Sequence, residues 1–102
     1  MLAIIGGTGL SELQGFEQLE KLAIKTPYAR AKVRLVRIGS GDKEFIFLPR
    51  HGAGHKIPPH EINYRANIAA LSDLGVTAIV AVYAVGAIHG DFLPGSVAVP
   101  DQ

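Results

Sequence analysis

The chain reads as an α/β domain with a mixed, largely parallel central sheet and flanking helices. Three observations predict this. Leu2-Ala-Ile-Ile5 is a wholly apolar run stopped by Gly6-Gly7, the pattern of a strand covered on both faces. A helix-forming run from Glu61 to Leu74 precedes an apolar, β-branched run from Thr77 to Tyr83, the helix-then-strand order of a layered α/β domain. Two further strand-like runs are joined by Gly39-Ser-Gly-Asp42, which predicts a hairpin and makes part of the sheet antiparallel.

The elements follow in order. After the first strand, Gly6-Gly-Thr-Gly9 is a loop that needs backbone freedom, and a short helix from about Leu10 to Gln14 ends at Gly15. Leu19 to Thr26 and Val33 to Ile38 are strands, with Pro27-Tyr28 turning between them. Glu44 to Leu48 is the strand after the hairpin turn. Pro49 to His60 is irregular, carries three prolines and holds three of the four histidines together with Arg50. The helix Glu61 to Leu74 has an acidic residue at its positive end and Gly75 just past its C-terminus. Its apolar residues cover much of its circumference, so it is expected to be buried on more than one face. Thr77 to Tyr83 is expected as a central strand, Ala84 to Ser96 as a glycine-rich loop, and Val97 to Val99 as the start of another strand.

The 102 residues are expected to form a single domain, residues 1–102, with no internal boundary. Hydrophobic residues make up 48%. Counting the twelve glycines and leaving out the three tyrosines raises the apolar share to about 57%, against roughly 45–50% in typical domains. A small chain this apolar calls for an interface or for more protein around it. Ten Lys and Arg against nine Asp and Glu leave a net charge of +1, so no basic field for nucleic acid or a membrane surface is expected. The absence of cysteine removes disulfides, thiol chemistry and thiolate metal sites. The uncharged stretch from Leu74 to Gly90 is 17 residues, short of the roughly 20 a spanning helix needs, and is broken by glycines and His89. No basic segment precedes the apolar start. A soluble, cytoplasmic protein is the expectation.

In α/β sheets ligands bind at the carboxyl ends of the strands. Three loops are predicted there: Gly6–Gly9, Pro49–His60 and Ala84–Ser96. The first suits an anion cradle of backbone N–H groups and the Thr8 hydroxyl, and suits a plain tight turn equally well. A dinucleotide fingerprint read from Gly7 lacks its third glycine, and a Walker loop lacks its Gly-Lys-Ser/Thr. Arg50 offers a fork of donors matched to phosphate oxygens, and the adjacent His51 adds a donor or a proton. A surface ion pair is the other reading of Arg50. His51 and His55 have an i,i+4 spacing, but the glycines between them argue against the helix that a metal site would need. No serine sits in a nucleophile elbow.

Taken together, Ile4-Ile-Gly-Gly-Thr-Gly-Leu10, Leu48-Pro-Arg-His-Gly52, Pro58-Pro-His-Glu-Ile-Asn-Tyr-Arg-Ala-Asn67, Ala84-Val-Gly86 and Pro100-Asp-Gln102 resemble the purine nucleoside phosphorylase and 5′-methylthioadenosine phosphorylase family, collinearly over the whole chain. Ala87-Ile-His89 and Val99-Pro100 look most like the branch that acts on 5′-methylthioinosine. The resemblance implies the N-terminal portion of a three-layer phosphorylase fold. It implies phosphorolysis of purine or 5′-methylthiopurine nucleosides, with inorganic phosphate as co-substrate and no cofactor or metal. Arg50 and His51 would be catalytic; Thr8, Arg50, His51 and the Ala84 backbone would bind phosphate; Tyr83 would lie beside the ribose. A homotrimer or dimer of trimers is also implied. Tyr83 departs from the small polar residue common in the family at that place. Ala87 stands for a Gly or Ser, and Tyr28-Ala-Arg-Ala31 departs from Tyr-Gly-x-Pro. Family members are well over twice as long, so the purine-binding residues would lie beyond Gln102. The alternative expectation is an inactive fragment that serves only as a packing module; a third is an unrelated nucleotide-binding module.

Overall fold

A computed structural model of the chain describes residues 1–7 and 14–102. Thr8 lies outside the described residues, as does the helix expected from Leu10, apart from Gln14. Among the described residues the chain forms β1 (Leu2–Gly6), β2 (Glu17–Ile24), β3 (Val33–Ser40), β4 (Lys43–Pro49), a 3₁₀ turn (Pro59–Glu61), α1 (Tyr64–Asp73) and β5 (Ala78–Ala81). The five strands make one mixed sheet in the order β2-β3-β4-β1-β5.

The hairpin forms where the turn residues predict it. Ser40 pairs with Lys43 across Gly41, whose φ of 62° is open to glycine at no steric cost. On β3, buried Val33 and Leu35 alternate with exposed Arg34, the period-2 signature of a strand with one face on the core. β2 is the edge strand: it is mostly exposed, charged by Glu20 and Lys21, and irregular between Gln18 and Glu20. These features discourage edge-to-edge pairing. Arg37 on β3 reaches Glu20 on β2 at 2.8 Å and Glu44 on β4 at 3.6 Å, a charge ladder across the outer face.

β1 runs parallel to both its neighbours. Ala3 pairs with Ile46 and Ile79, and Ile4 with Phe47 and Val80. Ala3 and Ile5 point into the core, while Leu2 and Ile4 are half-buried on the opposite face. The core gathers Ala3, Ile5, Leu35, Ile46 and Leu48 from the sheet against Ala66, Ala70 and Leu71 from α1. The small alanines let the helix approach the sheet closely.

Four expectations are corrected. The helix starts at Tyr64 rather than Glu61, because Asn63 caps it: the Asn63 side chain accepts from the Ala66 N–H at 3.0 Å, while Pro59–Glu61 forms the separate 3₁₀ turn. The Asn63 amide also donates to the Tyr28 carbonyl at 2.9 Å, fastening the cap to the turn after β2. Second, α1 buries one face only, since Tyr64 and Ile68 are about half exposed. Its C-terminus does close as predicted. Val76 N–H donates to the Leu71 carbonyl and Gly75 N–H to the Ser72 carbonyl, with Gly75 at φ 78°. That is a Schellman pair. Third, Thr77 to Tyr83 contributes a strand of four residues, Ala78–Ala81, at the edge of the sheet and exposed throughout. Its apolar content states what the strand needs covered, not its place in the sheet order. Fourth, residues 97–99 form no strand, and residues 84–102 are exposed and carry only turns.

Candidate functional site

Because β1, β4 and β5 are mutually parallel, their carboxyl ends meet on one side of the sheet. The chain leaves them at Gly6, Pro49 and Ala81. Backbone hydrogen bonds continue past the strands: Arg50 N–H donates to the Gly6 carbonyl at 2.8 Å, and Val82 N–H to the Ile5 carbonyl at 2.9 Å. The end of β1 thereby holds both flanking segments in place.

Arg50 lies at this junction and is only 7% exposed. Its Nη1 donates to the Val82 carbonyl at 3.3 Å, and its Cζ sits 3.9 Å from the centroid of the Tyr83 ring. Gly7 packs so closely on the guanidinium that a Cβ there would overlap it. A side chain at 7 would therefore displace the Arg50 guanidinium from its place. Among the described residues the ion pairs lie elsewhere, and none includes Arg50. A buried guanidinium is costly unless an opposite charge and several acceptors meet it, and among the described residues one carbonyl accepts from it. Five N–H donors in a fixed fork make it suited to an oxyanion.

His51 is equally buried, at 7% exposure. Its Nδ1 lies 2.9 Å from the Ile57 carbonyl, and Ile57 N–H donates back to the His51 carbonyl at 2.7 Å. The carbonyl accepts, so Nδ1 carries the proton and Nε2 is the acceptor nitrogen. This reciprocal pair folds 51–57 into a tight loop, with Gly52, Gly54 and His55 at positive φ. Ile57 covers Gly52 so closely that a side chain there would press on it.

The structure therefore brings together Arg50, His51's neighbouring loop and Tyr83, with Ala84 following directly in the chain. Tyr83 is 57% exposed. His55 packs against His51, with ring centroids 4.5 Å apart and the rings tilted by 47°, whereas His60 stands apart beside Glu61. His89 pairs with Asp91 in the exposed segment. The stack of Arg50 on Tyr83 and the demand on Gly7 are the features that sequence reasoning missed. The signal available was an aromatic residue at the end of a strand parallel to the one that delivers Arg50. Two clefts also occur, one along the β2–β3–β4 edge at Gly15, Leu19 and Gly41, the other beside Tyr28 and Arg65. Neither gathers the polar groups that converge at Arg50.

A carboxyl-end junction on a mixed sheet, built around a buried arginine and glycines, defines an α/β protein with a candidate anion site. The comparisons address the family. The model of the phosphorylase superfamily matches residues 1–102, and the chain belongs to that family. It is 50% identical over 101 residues to S-methyl-5′-thioadenosine phosphorylase of Hyperthermus butylicus, covering 99% of this chain and 37% of that protein. It is 46% identical to 6-oxopurine nucleoside phosphorylase of Pyrococcus furiosus, with the same coverage of 99% and 37%. The structure of Schistosoma mansoni methylthioadenosine phosphorylase in complex with adenine superposes with a TM-score of 0.82 at 44% identity, over 92% of this chain and 34% of that one. The chain thus spans about 37% of the length of the curated relatives it matches. No helix among the described residues is long and apolar enough to cross a membrane.

Proposed function

We propose that this chain supplies the phosphate side of a site for phosphorolysis of purine or 5′-methylthiopurine nucleosides. The observation that carries the reading is the buried Arg50 guanidinium where the carboxyl ends of β1, β4 and β5 meet. In the reaction a phosphate oxygen bonds to the anomeric carbon as the glycosidic C–N bond breaks. The electron pair leaves with the purine, which takes up a proton, and the sugar departs as ribose 1-phosphate or its 5-methylthio analogue. Charge develops on an oxocarbenium-like sugar, so an anion fixed beneath the ring does most of the work.

In this reading Arg50 clamps two phosphate oxygens, His51 Nε2 accepts from the P–OH of a third, and Thr8 and the Ala84 N–H complete the cradle. Tyr83 borders the ribose. Assembly into a trimer belongs to the same reading. A second reading, packing without catalysis, is favoured by the exposure of Val82, Val85, Ile88 and Val97.

The test uses this 102-residue chain. Titration with inorganic phosphate, followed by amide NMR, is expected to perturb Arg50, His51 and Ala84. Arg50→Ala is expected to weaken binding by about 10- to 100-fold, the worth of a hydrogen-bonded charge. Undiminished binding in that variant would remove the assigned site. Phosphate-dependent release of adenine or hypoxanthine from a methylthionucleoside by this chain would exclude the packing reading, whereas absence of phosphate binding would favour it.

A further inference from the structure

We infer that Tyr83 is a positioning residue whose ring face holds the Arg50 guanidinium in the orientation that receives an oxyanion; this rests on the phosphate reading above. Arg50 has a long, flexible stem, and freezing such a side chain on binding costs affinity. Three contacts freeze it beforehand. Its own backbone N–H is tied to Gly6, its Nη1 to the Val82 carbonyl, and its Cζ rests 3.9 Å from the Tyr83 centroid. Gly7 closes on the same group and leaves no room for a side chain to displace it. Of these, only the Tyr83 contact is made by a side chain from outside Arg50's own loop.

The geometry uses the negative face of the ring and leaves the guanidinium edges, where the N–H donors lie, to acceptors. A cation stacked on an aromatic face keeps its full charge, whereas a carboxylate at the same place would neutralise it and compete with the anion. Tyr83 is the kind of partner that orders an arginine without occupying its donors. The ring, not the hydroxyl, is the working part.

Two variants and two readouts test this in the 102-residue chain. The first readout is the chemical shift of the Arg50 side-chain protons, which a ring face moves upfield. The second is affinity for inorganic phosphate. Tyr83→Phe is expected to keep both the upfield shifts and the affinity. Tyr83→Leu is expected to return the Arg50 shifts to ordinary positions and to weaken phosphate binding about 3- to 30-fold, the range of a cation–π contact. Tyr83 is more than half exposed, so both variants should retain the native amide dispersion of β1–β4. Wild-type affinity in Tyr83→Leu overturns the inference and leaves the phosphate reading standing. Equal loss in Tyr83→Phe overturns it in favour of the hydroxyl. A wild-type chain that keeps the upfield shifts but binds no phosphate removes the phosphate reading, and the role of Tyr83 with it.

Discussion

Residues 14–76 and residues 77–102 have similar taste for apolar side chains and opposite fates. In the first region Leu35, Ile46, Leu48 and Leu71 are sealed between sheet and helix. In the second, Val80, Val85, Ile88, Val97 and Val99 face outward from a four-residue strand and a run of turns. The first region covers its own residues because a hairpin and a helix fold back on each other over short distances. The second has one strand neighbour, β1, and its residues stay exposed. The site lies on the seam: Arg50 belongs to the first region, and two of its contacts, the Val82 carbonyl and the Tyr83 ring, come from the second. Stability and function are therefore divided between the regions.

The sharpest way to break this contrast is a pair of truncations. Leu48→Ala, at a residue 1% exposed, is expected to lower unfolding free energy by about 2–5 kcal/mol in urea melts. Val97→Ala, at 92% exposure, is expected to stay within about 0.5 kcal/mol. Equal effects would mean that the second region is packed after all. Next in size is Gly7→Ala, whose methyl collides with the Arg50 guanidinium. Phosphate affinity is expected to fall about 10-fold or more, with a smaller change in the urea midpoint. A large stability loss with intact affinity would place Gly7 on the wrong side of the division. The smallest effect is expected for Arg37→Gln on the outer face. The Arg37 pairs with Glu20 and Glu44 are well exposed, so the loss should be below about 1 kcal/mol and shrink as salt is added.

The elements legible in the sequence are those set by neighbours along the chain. The hairpin followed from Gly39–Asp42 between two alternating runs, and the helix C-terminus from Gly75. Arg50 and His51 were legible as site candidates because they directly follow an apolar strand, and strand ends are where such sheets bind ligands. The helix start was misplaced by three residues because Pro58-Pro59 and Glu61 imitate a first turn, while the cap that wins is Asn63, held also by Tyr28. β5 was expected at the centre because its residues are as apolar as those of β1. Strand order, however, is decided by pairing, which composition does not encode. Val97–Val99 has the composition of a strand and no partner in the sheet. The contact between Arg50 and Tyr83 joins residues of two different loops and depends on side-chain placement, which no local pattern carries.

The parallel pairing of β1 with β5 has a kinetic consequence. Met1 and Thr77, hydrogen-bonded at the start of that ladder, are 76 positions apart. The β3–β4 hairpin closes over a two-residue turn and can form within microseconds, but joining β1 to β5 requires closure of nearly the whole chain. Arg50 meets Val82 and Tyr83 only after that closure. The junction of Arg50 with Val82 and Tyr83 is therefore absent from any early folding species that contains just the hairpin and helix, and its appearance marks the completion of the sheet.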